Sequence, residues 1–283
     1  MEVITLNTPL KHNLRLIKFA PGSNIKATIV ISSATGVLQK YYQSFATYLS
    51  EQGYQTFTFD YYGIGDSGGT TKELKDNKVS LIDWAKNDQA SVIEFAKNEN
   101  PTKPLYLITH SIGGQLFPLN PKYHLVDKVM MVASQSGYWQ YYKGIHYPKM
   151  WLFWHGLIPG LTPLFGYFPA KKLGLFENLP KNVVYQWAKW GKNRSYMLGS
   201  LAGKDHYFND IAVPVKLLTF PRDIYAPVAA ADWLAQQFKN TEVIREHIDP
   251  QKENLPEIGH FGFFRSKFKD SLWQQSIQWL NSN

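Results

Sequence analysis

Short apolar segments typical of β-strands alternate with segments of helical periodicity over most of the chain, and this alternation limits the fold more than any other feature. The segment Ala-Thr-Ile-Val-Ile-Ser is apolar or β-branched almost throughout, as expected of a strand buried on both faces. Such alternation predicts a mostly parallel sheet with helices on both faces. The predicted strands are 14–19, 26–32, 54–60, 104–109, 126–133, 215–220 and 242–248, and the predicted helices are 41–52, 81–97, 111–116, 228–238 and 266–281.

The alternation stops between Tyr138 and Phe208, where the chain becomes rich in aromatic residues, glycine and proline. Five of the nine tryptophans lie in this segment. A length of 283 residues suits one large α/β unit with an insertion better than two independent domains. We therefore predict an α/β core formed by 1–137 and 209–283, and a mainly helical cap formed by 138–208.

Charge and composition restrict the function classes. The net charge is +8, but the basic residues are spread along the chain without a nucleic-acid-binding motif, so we expect no nucleic-acid partner. The absence of cysteine excludes disulfides, thiolate metal sites and a cysteine nucleophile. No pattern implies a metal or a cofactor. The first residues lack the basic and apolar regions of a secretion signal, so we expect a cytoplasmic location.

A serine stands where a predicted strand changes abruptly into a predicted helix. The sequence there is Thr109-His110-Ser111-Ile112-Gly113-Gly114. In parallel sheets the reacting groups collect at the carboxyl ends of the strands, and a sharp strand-to-helix turn holds a nucleophilic serine there. The sequence predicts Ser111 as the nucleophile, although Thr109 replaces the first glycine of the usual Gly-x-Ser-x-Gly pattern. His110 fits a packed core histidine better than a catalytic one.

A serine hydroxyl needs a base, and the base needs an acid that fixes its tautomer. His260 lies in a loop between the last predicted strand and the last predicted helix, which is where this order of residues requires the base. Asp223 follows the strand 215–220 and precedes a helix, so we predict that it is the acid. Asp249 and Asp210 lie near neighbouring strand ends and are the competing candidates.

Two backbone N–H groups are expected to stabilise the oxyanion. One is that of Ile112, directly after the nucleophile. The other should come from the loop after the strand 26–32, where Thr35 is the first candidate and Gly36 the second.

Taken in chain order, five motifs resemble those of α/β-hydrolases of the serine aminopeptidase and monoacylglycerol lipase-like group. They are ATGVLQKYYQSFATYLSEQGY, FDYYGIGDS, THSIGGQ, DIYAP and IGHFGFF. The chain is most similar to an uncharacterised bacterial branch of predicted hydrolases. The resemblance implies an α/β-hydrolase fold with an inserted cap, a nucleophile at Ser111, an acid at Asp223, a base at His260 and a structural loop at 60–67. Ser33 and Ala34 stand where many relatives have histidine and glycine.

The cap composition indicates the substrate. Only two acidic residues, Glu177 and Asp205, lie between Tyr138 and Phe208, whereas an aminopeptidase needs negative groups for the terminal ammonium of its substrate. We therefore expect a lipophilic ester or thioester; an aminopeptidase or amidase, an acyltransferase and a non-catalytic binding protein are the alternatives. The lysines beside the apolar stretch 150–168 would allow weak contact with a membrane surface. The residues predicted to bind the acyl group are Trp139, Tyr142, Trp151 and Trp154.

Overall fold

Eight strands form one sheet in a computed structural model that describes residues 1–22, 24–201 and 205–282. The strands are β1 (Glu2–Asn7), β2 (Asn13–Phe19), β3 (Ala27–Ser32), β4 (Tyr54–Phe59), β5 (Leu105–His110), β6 (Lys128–Val132), β7 (Val215–Thr219) and β8 (Val243–His247). Their order across the sheet is β1, β2, β4, β3, β5, β6, β7, β8. β1 and β2 pair antiparallel with each other, as do β2 and β4, and all remaining pairs are parallel. The predicted fold class is confirmed.

The central strands are buried because helices cover both faces of the sheet. Every residue of β3 and β4 is buried. Successive side chains of β3 enter opposite cores, Val30 packing into one apolar cluster and Ile29 and Ile31 into the other. This explains why the segment lacks the apolar and polar alternation of a sheet with one solvated face.

Eleven α-helices and three π-helical segments connect and cover the strands within the described residues. The α-helices are α1 (Gln43–Glu51), α2 (Thr71–Asp76), α3 (Leu81–Asp83), α4 (Ala90–Glu99), α5 (Ile112–Leu116), α6 (His146–Leu152), α7 (Ile158–Phe165), α8 (Lys181–Gly191), α9 (Val228–Ala235), α10 (Gly259–Gly262) and α11 (Gln274–Asn281). The π-helical segments are Trp84–Gln89, Phe153–Leu157 and Lys269–Trp273. None of the helices in the described part of the chain has the length and hydrophobicity that crossing a membrane requires.

The segment between β6 and β7 contains α6, α7 and α8, with one isolated bridge between Phe168 and Leu179. Its mainly helical character agrees with the pattern between 138 and 208, of which residues 202–204 lie outside the described part. The division into a core and a cap stays a prediction.

The parallel strands bring the predicted site residues to one edge of the sheet. Thr35 follows β3, Ser111 follows β5, Asp223 follows β7, and His260 lies in α10 after β8. Because the carboxyl ends of parallel strands meet at the same edge, residues far apart in sequence come together there.

Candidate active site

A strained turn places Ser111 between β5 and α5. The backbone of Ser111 has φ 51° and ψ −112°, a region that residues other than glycine rarely occupy. Its N–H donates to the carbonyl of Val132 at 2.9 Å, which fixes the turn against β6. Ser111 is buried to 7% exposure, and its hydroxyl forms no hydrogen bond with any residue that the structure describes.

Two glycines after the serine allow this close packing. A Cβ atom on Gly113 would lie 2.6 Å from the carbonyl oxygen of Ser32, and one on Gly114 would lie 2.8 Å from the Cβ of Ser134. Both distances are shorter than van der Waals contact allows. The turn therefore requires both glycines, as expected of a nucleophile elbow.

Asp223 and His260 form a buried pair. Nδ1 of His260 lies 3.0 and 2.9 Å from the two carboxylate oxygens of Asp223. Because a carboxylate can only accept, the Nδ1 atom carries the proton and the Nε2 atom is left as the basic nitrogen. Asp223 Oδ1 also accepts the backbone N–H groups of Tyr225 and Ala226, each at 2.9 Å, which holds the carboxylate in place.

His260, the predicted base, lies close to the turn at Ser111. The ring of His260 is centred 5.0 Å from that of His110, the residue directly before Ser111. The Nε2 atom of His260 has no hydrogen-bond partner in the described part of the chain. The nucleophile, acid and base predicted from sequence are thus brought to one place.

The two competing acids lie elsewhere. Asp249 accepts the backbone N–H of Gln251 at 3.1 Å in the turn after β8. Asp210 is exposed in the segment before β7. Within the described residues neither of them forms a hydrogen bond with a histidine.

The loop after β3 supplies unpaired N–H groups next to the elbow. Ala34 N–H donates to the hydroxyl of Tyr42 at 2.9 Å, and Val37 N–H donates to the carbonyl of Ala34 at 3.1 Å. Between them, the N–H groups of Thr35 and Gly36 have no backbone acceptor among the described residues. The N–H of Ile112 points out of the first turn of α5, where helical N–H groups lack partners. The roles predicted for Thr35, Ile112 and Gly36 stay predictions.

A cavity of about 490 Å³ opens beside this loop. Its walls are mostly apolar, and they include Phe261, the neighbour of His260, and Gly36 of the loop 33–37 after β3, which is called the oxyanion loop after its predicted role. The remaining lining residues are Val37, Leu38, Lys40, Tyr41, Lys171, Gly174, Leu175, Phe176 and Glu177. The sequence analysis did not predict this cavity. The one sequence signal for it is Phe261, a bulky apolar residue directly after His260.

The four residues predicted to bind the acyl group do not line this cavity. Trp154 is fully buried and donates from Nε1 to the carbonyl of Gly137 at 3.0 Å, so it packs in the interior. Tyr142 is also buried, and its hydroxyl donates to the carbonyl of Tyr225 at 2.9 Å.

The other two tryptophans lie nearer the surface. Trp139 is half-buried and packs against Tyr147 at 4.7 Å between ring centres. Trp151 is 46% exposed and stacks on His155 at 4.9 Å. No group of three or more histidine and carboxylate side chains that could hold a metal ion occurs among the described residues.

The sheet order, the elbow and the buried acid–histidine pair define the α/β-hydrolase class. The family model described as serine aminopeptidase, S33, matches residues 23–163. The chain is an α/β serine hydrolase, and its resemblance to the serine aminopeptidase group is confirmed.

Solved structures of the same fold cover almost the whole chain. Est1E from Butyrivibrio proteoclasticus, solved with ferulic acid, has a TM-score of 0.63 at 14% identity and covers 99% of this chain and 100% of that one. A thermostable carboxyl esterase from Bacillus coagulans has a TM-score of 0.65 at 10% identity, covering 99% and 97%. A serine hydrolase without a lid from Xanthomonas campestris has a TM-score of 0.59 at 12% identity, covering 100% and 96%. A comparison with curated protein sequences finds no match.

Proposed function

We propose that the protein hydrolyses carboxylic esters or thioesters with a hydrophobic acyl group, through an acyl-enzyme on Ser111. The observation that carries this proposal is the buried Asp223–His260 pair, which leaves a basic Nε2 atom beside a strained serine. The apolar cavity next to the base and the oxyanion loop supports the hydrophobic substrate.

The reaction proceeds in two halves. His260 Nε2 takes the proton of the Ser111 hydroxyl as its oxygen attacks the substrate carbonyl, and the N–H groups of Ile112 and Thr35 stabilise the oxyanion. The intermediate collapses, the bond to the alcohol or thiol breaks, and the leaving group takes the proton from His260. A water molecule then gives a proton to His260 and attacks the acyl-enzyme, which releases the acid and restores the serine. Asp223 stabilises the imidazolium in both halves.

The charges around the cavity favour an ester over a peptide with a free amino terminus. Glu177 is the one acidic residue among those that line it, and its carboxylate lies 2.6 Å from Nζ of Lys171. Lys40 adds a second positive charge to the lining. A terminal ammonium would therefore meet a net positive wall and a carboxylate that is already paired.

An aminopeptidase is the second candidate, and the description of the matching family favours it. An acyltransferase would use the same residues with a different acceptor. Comparing hydrolysis of esters with that of aminoacyl amides distinguishes an esterase from an aminopeptidase. Adding alcohols as acceptors distinguishes hydrolysis from acyl transfer.

Labelling with a fluorophosphonate tests the nucleophile. The probe should label the wild type and fail to label Ser111→Ala, because only an activated serine reacts. Ser276→Ala is the matched control: it removes a buried serine of the last helix, whose hydroxyl donates to the carbonyl of Leu272, and it should label normally. Labelling that survives in Ser111→Ala would refute the assignment.

A panel of esters of increasing acyl length tests the substrate class. Burying one methylene is worth about 0.8 kcal/mol, so kcat/KM should rise about fourfold per added carbon until the cavity is filled. Phe176→Ala should shift the preferred length because Phe176 lines the cavity, whereas Trp151→Ala should not. A flat dependence on chain length would contradict the proposal.

The outer surface of the segment between β6 and β7 supports peripheral contact with an anionic lipid surface. α6, the π-helical segment Phe153–Leu157 and α7 follow one another without a break. Leu152 and Leu164 in these helices are 49% and 78% exposed, and Ile145, directly before α6, is 65% exposed. Residues 138–177 contain four lysines and one acidic residue, Glu177, which pairs with Lys171, so the net charge around these apolar side chains is positive. Exposed apolar groups with flanking lysines are typical of proteins that bind at membrane interfaces.

Sedimentation with vesicles tests this contact. The wild type should bind vesicles that contain phosphatidylserine more strongly than vesicles of phosphatidylcholine alone. Leu152→Asp with Leu164→Asp should abolish binding, and Leu10→Asp, which alters an equally exposed leucine between β1 and β2, should not. Equal binding by all of these proteins would contradict the contact. If the wild type self-associates and the double variant does not, the exposed leucines contact a second copy of the chain instead of a lipid surface.

A further inference from the structure

His110 has both of its ring nitrogens engaged by parts of the predicted active site. It is the last residue of β5, it is fully buried, and it directly precedes Ser111. Its Nε2 atom lies 3.0 Å from the carbonyl oxygen of His260, and its Nδ1 atom lies 2.9 Å from the hydroxyl of Tyr42. The ring therefore bridges the backbone of the predicted base and a side chain beside the oxyanion loop.

These contacts fix the protonation of the ring. A carbonyl oxygen can only accept, so the Nε2 atom of His110 carries the proton and Nδ1 accepts from the hydroxyl of Tyr42. Burial, together with the neighbouring His260, holds the pKa of His110 well below its ordinary value. His110 is therefore a neutral imidazole with one donor and one acceptor, both in use.

Tyr42 extends the connection to the oxyanion loop. Its oxygen accepts the backbone N–H of Ala34 at 2.9 Å, next to the predicted donor Thr35. Three hydrogen bonds thus run in one direction, from Ala34 to Tyr42, from Tyr42 to His110, and from His110 to the carbonyl of His260. Hydrogen bonds aligned in this way polarise and strengthen one another.

We propose that His110 and Tyr42 are positioning residues that hold the base and the oxyanion loop at fixed places relative to Ser111. The inference rests on the proposed function, since it assigns these side chains a role in the same reaction. Neither side chain needs to touch the substrate. Each acts through the backbone that it holds, His110 on the loop of the base and Tyr42 on the loop of the oxyanion donor.

The packing around the bridge leaves it little freedom to move. Phe264 contacts both members, with ring centres 5.1 Å from His110 and 4.8 Å from Tyr42. Phe261, which lines the cavity, packs edge-on against His110 at 5.7 Å. Each hydrogen bond of the bridge holds one of the two loops within this packing, so its loss would shift that loop. A catalytic group displaced by about 1 Å can lower the rate about a hundredfold.

Tyr42→Phe removes the central hydroxyl with the smallest change of shape. We expect kcat per active site to fall about ten- to hundredfold with little change in KM, because the substrate cavity is retained while the reacting groups are displaced. The sites are counted by burst titration with an activated ester, so that a smaller folded fraction does not lower the measured kcat. Tyr54→Phe is the matched control, since it removes the hydroxyl of another buried tyrosine, bonded to Asn281 at 2.6 Å, at the opposite end of the sheet.

His110 variants separate the two hydrogen bonds. His110→Phe removes both, and His110→Gln retains an amide N–H that can donate to the carbonyl of His260. We expect His110→Gln to keep substantially more kcat per site than His110→Phe. The double variant of Tyr42→Phe with His110→Phe should lose less than the product of the two single losses, because both residues act in one chain of hydrogen bonds.

A merely structural role predicts a different result. Tyr42→Phe would then lower the melting temperature and the number of titrated sites to the same extent as Tyr54→Phe, with kcat per site unchanged in both, and this outcome would overturn the inference. If His110→Phe does not fold, Tyr42→Phe and His110→Gln still decide it. A wild type that hydrolyses no ester and shows no burst would refute the proposed function itself, and the inference with it.

Discussion

Asp60 should make the protein less stable as the pH rises from acid to neutral. It lies directly after β4, is 2% exposed, and accepts the backbone N–H of Gln39 at 2.7 Å. Two longer hydrogen bonds, from Gln39 Nε2 and from the backbone N–H of Asp66, both at 3.3 Å, reach its other oxygen. No cation pairs with it among the described residues, and burial raises the pKa of Asp60 from 3.8 to about 6.

The magnitude follows from this pKa. Because the pKa of Asp60 is higher in the folded state than in the unfolded state, the folded state prefers the protonated carboxyl. The resulting stability is fully present below about pH 4 and is lost as the pH rises through about 6. One pKa unit corresponds to about 1.4 kcal/mol, so ionising Asp60 should cost about 3 kcal/mol of unfolding free energy.

Urea unfolding between pH 4 and pH 8 measures this cost. Asp60→Asn stays neutral and keeps its stability as the pH rises. The unfolding free energy of the variant minus that of wild type should therefore increase by about 3 kcal/mol across this range, whatever the substitution costs at pH 4. Asp76→Asn, which removes an exposed carboxylate of α2, is the matched control and should follow the wild type. A constant difference between Asp60→Asn and wild type at all pH values would refute the reasoning.

Three further substitutions test the site and the packing. Asp223→Asn should lower kcat about a thousand- to ten-thousandfold with little change in KM, measured with a short ester; the same loss in Asp249→Asn instead would contradict the assignment. Gly114→Ala should cost about 1–3 kcal/mol in urea unfolding, because its Cβ would lie 2.8 Å from neighbouring side-chain atoms, whereas Gly160→Ala, with nothing within 4 Å, should cost nothing. Trp154→Ala should cost about 3–5 kcal/mol as a cavity in the interior, and an equal cost for the exposed Trp151→Ala would refute this.

The central strands of the parallel sheet could be predicted because burial on both faces leaves a strong local pattern. β1 was missed: only its inner side is partly covered, and it is one edge of the sheet, so its sequence carries a weaker signal. The last predicted helix, 266–281, is helical throughout but begins with a 3₁₀ turn at Ser266–Phe268 and a π-helical segment before α11. Apolar periodicity does not distinguish these forms of helix over a few residues.

The positions of Ser111, Asp223 and His260 could be predicted from sequence because each follows a strand, and the parallel topology brings the strand ends together; their roles as nucleophile, acid and base stay predictions. The cavity could not be placed in this way. Its walls come from three separate segments, the loop and turn at 36–41, the stretch 171–177 and Phe261. The positions of these segments depend on packing between distant parts of the chain, such as the hydrogen bond from Glu177 N–H to the carbonyl of Gly36 at 3.0 Å. Aromatic composition pointed to the segment 138–208, of which the stretch 171–177 lines the cavity, whereas Trp139, Tyr142, Trp151 and Trp154 do not; their role in acyl binding stays a prediction.

The departure at Thr109 shows how the elbow tolerates a residue larger than glycine. Thr109 is fully buried, with its hydroxyl 3.5 Å from that of Ser134. A Cβ atom on Gly114 would lie 2.8 Å from the hydroxyl of Thr109, so the threonine occupies space that the absent side chain of Gly114 leaves open. Gly114, the second glycine after Ser111, thus compensates for the missing glycine before Ser111. This argument predicts that Thr109→Gly relieves the strain of Gly114→Ala only in part, because the Cβ of Ser134 would still lie 2.8 Å from the new methyl group. In urea unfolding the double variant should therefore lose less stability than the sum of the two single losses, and strictly additive losses would show that the two positions do not share this space.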